Sequence, residues 1–180
     1  MSRGLTTTVL VCAFVSAAAS DAQRPAGRLA AETQSVDSIV AALYDVISGP
    51  AGQARDWDRF RNLFAPGARL IPASPRKDGS APAAVSPDDY VQRTSESFLK
   101  NGFFEKEIAR RTEAFGTVTH VFSTYESRRA STDAKPMARG INSIQLMRHA
   151  DRWWIVTVMW DQERPDNPIP SKYLGGQISK

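Results

Sequence analysis

The stretch Trp153-Trp154-Ile155-Val156-Thr157-Val158-Met159-Trp160-Asp161-Gln162-Glu163 decides the fold. Apart from Thr157, both alternating sets of side chains up to Trp160 are apolar or aromatic. The segment therefore reads as a strand covered on both sides, and as the central strand of its sheet. At Asp161 the run turns acidic and polar, which puts a carboxylate where a buried strand ends.

Upstream of this stretch, from Phe103 onward, the period is two. Residues 104–115, 117–128, 139–148 and 153–162 read as four long strands, separated by Gly116, by the polar segment 129–136 and by His149-Ala150-Asp151. Four such strands in succession give an antiparallel meander. Before Phe103 the period is helical. Ser35 reads as the N-cap of a helix with Val36, Ile39, Val40, Leu43, Tyr44 and Ile47 on one stripe, stopped by Gly49-Pro50. A short second helix begins near Asp56, carries Trp57, Phe60, Leu63 and Phe64 on one side, and ends at Pro66-Gly67. A brief strand follows over 68–73, then a long loop marked by Pro72, Pro75, Gly79 and Pro82 and ending near Val85, which is either functional, as a lid would be, or simply mobile, with mobility the preferred reading. Ser86-Pro87-Asp88-Asp89 starts a third helix that runs to Lys100: a hydroxyl cap, a proline in the first turn and two carboxylates at the positive end of the dipole. Three helices ahead of a curved antiparallel sheet can bury their stripes on one face only. The fold class is therefore α+β, a cone-shaped sheet with the three helices packed on its concave face.

A chain of 180 residues with 42% hydrophobic residues makes one domain with a sizeable core. Its start has the pattern of a secretory signal: Arg3, an apolar run over 9–19, then Ser20-Asp21-Ala22 as a cleavage site. The apolar run is too short for a permanent membrane span, which needs about 20 residues. The expected organisation is a signal peptide (1–22), a flexible lead without period (23–34), the domain (35–163) and a C-terminal extension (164–180). The mature chain would be exported, periplasmic or secreted, and free of the membrane. Cys12, the only cysteine, lies in the part expected to be removed, which excludes disulfides, cysteine nucleophiles and thiolate metal sites from the mature protein. The 23 basic and 19 acidic side chains leave +4, and the basic ones are dispersed rather than clustered with aromatics. A nucleic-acid partner is excluded on that ground.

Three segments carry a resemblance: Trp57-Asp58-Arg59-Phe60-Arg61-Asn62-Leu63-Phe64-Ala65-Pro66-Gly67-Ala68, Gly116-Thr117-Val118-Thr119-His120-Val121-Phe122-Ser123-Thr124-Tyr125-Glu126, and Arg152-Trp153-Trp154-Ile155-Val156. With the order of elements, they resemble the cone fold of the nuclear transport factor 2-like superfamily, which includes SnoaL-like polyketide cyclases and ketosteroid isomerases. The resemblance implies a pocket between the concave face and the helices. It implies no catalytic set, because such proteins share a pocket rather than a chemistry. It also implies a homodimer formed through the sheet. The tail from Arg164 to Pro170, with Tyr173-Leu174, resembles an extension of uncharacterised exported members. The isomerases of this superfamily use an aspartate base with a tyrosine and an acidic donor around an enolate. Asp161 and Tyr125 match these by type but not by alignment, so no role is carried over.

Strand parity places Val118, His120, Phe122, Thr124 and Glu126 on one face and Thr117, Thr119, Val121, Ser123 and Tyr125 on the other. Both sets contain apolar residues, so parity does not choose which lines the pocket. His120 is the candidate general base, since imidazole titrates near neutrality. Asp161 is a candidate base or the partner of that imidazole, and Tyr125 a candidate donor to an oxyanion. Each has a plainer reading: a hydrogen-bonded histidine, a carboxylate paired with an arginine, a tyrosine with one partner. Trp57, Phe60, Phe122, Trp154 and Trp160 are the candidate aromatic lining, and Asn142 would add an amide. His149, beside Asp151, reads as part of a solvated turn. Glu105, Glu107 and Glu113, interspersed with Lys106, Arg110 and Arg111, read as an exposed face of mixed charge. The two histidines lie far apart with no His-x-His or His-Glu-x-x-His spacing, so no metal is expected. Without a glycine-rich phosphate loop or a Gly-x-Ser-x-Gly turn, no cofactor is expected either. The leading expectation is an exported domain that binds a small, largely apolar molecule. The alternatives are a cofactor-independent isomerase, dehydratase or cyclase working through His120 and Asp161, and a dimerising structural module.

Overall fold

The computed structural model describes residues 23–175, so the expected signal peptide, its cleavage site and Cys12 lie outside the described residues. The elements run α1 (Gln23–Thr33), α2 (Val36–Ile47), α3 (Trp57–Asn62), β1 (Phe64–Pro72), α4 (Pro87–Asn101), β2 (Phe104–Phe115), β3 (Val118–Arg128), β4 (Ala138–His149) and β5 (Arg152–Gln162), with a 3-10 turn at Ser171–Tyr173. The fold is α+β, an open five-stranded sheet in the order β1-β5-β4-β3-β2 with helices ahead of its meander.

The helix starts follow local chemistry. Ser35 accepts the Ser38 amide while the Ser38 hydroxyl accepts the Ser35 amide, and Ser86 and Asp89 do the same at the head of α4. At the other end of α2 the carbonyls of Ile47 and Gly49 take hydrogen bonds from the buried Arg55 guanidinium, so that helix terminus is not left unpaired.

Three expectations need correction. Residues 23–33 form α1 rather than a lead without period. The helix is tied down by its last turn, where Glu32 pairs with Arg59 at 2.9 Å and the hydroxyl of buried Thr33 bonds back to the Leu29 carbonyl at 2.8 Å. The first strand starts at Phe64, because Pro66 and Gly67 sit inside an irregularity between Phe64 and Arg69 instead of ending the segment. This β1 runs parallel to β5, so the sheet is mixed, and β4 rather than β5 lies in the middle. The long excursion through α4 and the meander brings the chain back along β1 in the same direction.

Two faces of the sheet have different covers. On the concave face Ile39, Val40 and Leu43 of α2 and Phe60 and Leu63 from the α3 region pack with Val121, Ile144, Leu146 and Ile155 of the sheet. The opposite face carries the C-terminal tail. There Thr124 donates to the Tyr173 carbonyl at 2.7 Å, the Tyr173 ring meets Phe122 edge-on at 5.0 Å, and Ile169 is buried.

Candidate functional site

Strand register settles the inward set. Glu105 stands opposite Ser127, Glu107 opposite Tyr125 and then Gly140, and Ser123 opposite Asn142 and then Trp160. These rows face the helices. Between them and α2, α3 and α4 lies a cavity of about 510 Å³, within the range of small-molecule sites. Its wall is largely aromatic. Phe60 stacks on Tyr90 at 5.4 Å, Tyr90 meets Trp160 edge-on at 6.4 Å, and Phe98 stacks on Phe103 at 4.3 Å. Tyr125 completes the sheet side, and it lies close against Gly140, where a Cβ would come within 2.6 Å of the phenol oxygen.

The polar end of the cavity is built by a chain of side chains. The Asn142 amide donates to the Glu105 carboxylate at 3.2 Å and to the Tyr44 hydroxyl at 3.0 Å. The Tyr44 hydroxyl in turn meets Ser123 Oγ at 2.7 Å, and Ser123 donates to Glu107. Arg110 clamps Glu107 through Nε at 2.8 Å and pairs with Asp37 at the head of α2. Every donor in the series thus has its acceptor, and the direction of donation runs from Asn142 toward the charged Glu107.

Glu105 is the unusual member. It takes part in none of the ion pairs formed among the described residues. Burial raises its carboxyl from the ordinary 4.5 to about 7, against the lowering effect of the Asn142 amide. The hydroxyls of Tyr44, Tyr90 and Tyr125 are all pushed up by burial first and by the Glu105 charge second. A second hollow, about 570 Å³, lies on the other side of Glu105 at the β2 edge. Much of its charged lining is already paired, Lys106 and Arg128 with Glu126 and Arg110 with Glu107, so the aromatic cavity is the better ligand site.

Of the residues singled out in the sequence, Phe60, Tyr125, Asn142 and Trp160 line this cavity. Trp57 stands behind the wall, edge-on to Phe60 at 5.7 Å and tilted against Phe98 at 6.2 Å. Phe122 and Trp154 lie elsewhere: Phe122 is on the outer face under Tyr173, and Trp154 carries the Arg152 guanidinium 3.7 Å above its ring. His120 and Asp161 also belong to the outer face. His120 Nε2 bonds Ser143 Oγ at 2.9 Å, while Asp161 pairs with Arg164 at 2.6 Å and accepts from Ser74 at 2.6 Å. Arg164 first, and Ser74 after it, hold the Asp161 carboxyl below the usual range. His120 is aligned with Gln145 and Thr157, Asp161 with Ile141 and Thr124. That offset is four residues along the strands, roughly 13 Å, with two strand spacings, roughly 10 Å, across them. The two side chains do not form a pair.

The residue that sequence reasoning missed is Glu105, which was read as part of an exposed charged strand. A bulge between Glu107 and Ala109 breaks the alternation of β2, so that Glu105, Glu107 and Arg110 all turn inward. No alternation pattern carries that signal. The stripe position of Tyr44 does carry one, since a buried hydroxyl on an apolar face needs a partner across the core. Among the described residues no three His, Asp or Glu side chains come together as metal ligands.

A curved sheet over helices with an aromatic cavity between them is the nuclear transport factor 2-like cone fold. Solved structures with this architecture include a protein of unknown function with a cystatin-like fold from Nostoc punctiforme, 12% identical over 75% of this chain and 92% of that one, with a TM-score of 0.54. Another is a protein of unknown function from Mycobacterium tuberculosis, 12% identical over 76% of this chain and 75% of that one, with a TM-score of 0.56. An NTF2-like protein of unknown function from Pseudomonas putida is 8% identical over 70% of this chain and 82% of that one, with a TM-score of 0.52. At these identities the likeness carries the fold alone. No family model and no curated protein matches the chain.

Proposed function

We propose that this protein is an exported domain that binds a small, largely apolar molecule in its concave cavity. The observation that carries the reading is a cavity of about 510 Å³ with six aromatic side chains in its wall and a single, half-buried carboxyl group, that of Glu105. Apolar surface supplies the affinity and the Glu105 end fixes orientation. Trp160 lines the cavity and reports occupancy through its fluorescence. A lipophilic-compound screen should give ligands that quench Trp160 and raise the melting temperature, about 2.7 kcal/mol of stabilisation at a hundredfold excess over Kd. A screen in which nothing shifts either signal removes the reading. N-terminal sequencing of the exported form, expected to start at Gln23, tests the export part.

Proton-transfer catalysis is the second reading, and Glu105 now carries it in place of His120 and Asp161. A half-buried carboxyl raised to about 7 is poised to exchange a proton at neutral pH. Carbonyl compounds incubated with the protein in heavy water should gain deuterium beside the carbonyl, and Glu105→Gln should stop it. No incorporation with the wild type ends this reading.

A further inference from the structure

Among the described residues no cation pairs with the Glu105 carboxylate. Both hydrogens of the Asn142 amide are committed, one to Glu105 and one to Tyr44, and the Tyr44 hydroxyl is engaged with Ser123. The nearby positive charges are committed too: Lys106 to Glu126 on the outer face, and Arg110 to Glu107 and Asp37. Arg129 lines the cavity beyond Ser127, the cross-strand neighbour of Glu105, and forms no ion pair with Glu105. Buried carboxylates in folded proteins are paired or neutral. Around this one stand Phe60, Tyr90, Phe98, Phe103, Tyr125 and Trp160, whose ring faces carry the negative side of the aromatic quadrupole. Such faces attract a desolvated cation and offer nothing to an anion.

We propose that the ligand is a lipophilic amine whose ammonium group pairs with the Glu105 carboxylate inside the aromatic cavity, an inference that rests on the small-molecule reading above. The ammonium supplies the partner that the protein withholds, and the apolar body of the ligand lies along the aromatic wall that Tyr90, Phe98 and Trp160 present to the cavity.

Pairing requires Glu105 to be charged, and its carboxyl sits at about 7 in the empty cavity. Tyr44 from α2, Tyr90 from α4 and Tyr125 from β3 face it as neutral phenols, all pushed up by burial. Glu107 is held by Arg110. Below neutrality, binding therefore has to expel a proton from Glu105. Affinity for the amine should fall about tenfold between pH 8 and pH 6.

Calorimetric titration of phenylbutylamine, phenylbutanol and phenylbutyrate into the full mature chain tests this. At pH 8 the amine should bind about tenfold or more tighter than the alcohol, the gain expected of a desolvated ion pair beside aromatic faces. In Glu105→Gln that preference should shrink to near one. Proton release on binding at pH 6, measured in buffers of different ionisation enthalpy, should approach one per ligand. An alcohol that binds as well as the amine, an acid that binds best, or a preference that survives in Glu105→Gln overturns the ammonium assignment and leaves the cavity a ligand site. If none of the three binds, the ammonium assignment falls, and the lipophilic-compound screen decides the cavity reading separately.

Discussion

A carboxyl group enclosed by phenylalanine, tyrosine and tryptophan is costly when ionised, and Glu105 makes that cost measurable. Its folded value is raised from 4.5 to about 7, so the charged form is the disfavoured one. The associated stability is fully present below the unfolded value and is lost as pH rises through the folded one. The loss is on the order of 3 kcal/mol by pH 8. Glu105→Gln removes the titration but keeps the shape. Urea unfolding should therefore show the variant more stable than the wild type at pH 8, with the gap closing at pH 5. Equal pH dependence in the two proteins would show that Glu105 is not the buried acid described. The same residue marks a limit of sequence reading. His120 and Asp161 drew attention because their types suit catalysis, yet each is satisfied on the outer face by Ser143 and by Arg164. Glu105 was passed over because a bulge in β2 turns it inward, and a bulge leaves no mark on the alternation of residue types.

Elements were more legible than sites. The starts of α2 and α4 follow from Ser35 and from Ser86-Pro87-Asp88-Asp89, and β2 to β5 from their period, because capping and alternation are local properties. Pairings between distant segments are not local, so the parallel β1 and the tethered α1 appeared only in three dimensions. What joins α2 to the sheet is likewise long-range: Tyr44 reaches Ser123 on β3 and Asn142 on β4. Ser123 is fully buried. Ser123→Ala would leave the Tyr44 hydroxyl without its acceptor and Glu107 without one donor. The expected destabilisation is about 1–3 kcal/mol, since an orphaned buried hydroxyl loses its full desolvation cost. Denaturant unfolding of Ser123→Ala, with Tyr44→Phe/Ser123→Ala as the partner variant, checks it. The double variant should recover part of the loss because it removes both members of the pair. Simple additivity would mean that the chain is not coupled.

At the scale of the molecule, the sheet works as a partition with separate tasks on its two sides. Parity in β3 could not choose between them because the concave face packs on helices and the opposite face packs under the tail, so both are apolar. Ser123 and Thr119 point inward while Phe122 points outward, the reverse of what a sheet with one wet face would show. Tail and cavity should then be separable by deletion. A chain ending at Glu163 loses the Arg164 pair to Asp161, buried Ile169, and the Tyr173 contacts with Phe122 and Thr124. Lost apolar burial of this size, offset by the freed chain entropy, lowers stability by about 2 kcal/mol. It also uncovers Phe122 and Ile141 beside the already exposed Met159, an apolar surface that invites pairing between copies through the sheet. The truncated chain should bind more of a hydrophobic dye than the full chain does, and sediment as a larger species. Its affinity for phenylbutylamine should stay within about twofold of the full chain, because Glu105 and its aromatic surround lie across the partition. A tenfold loss of amine affinity on truncation would show that the two faces are coupled through β3 and β4, and the partition would have to be given up.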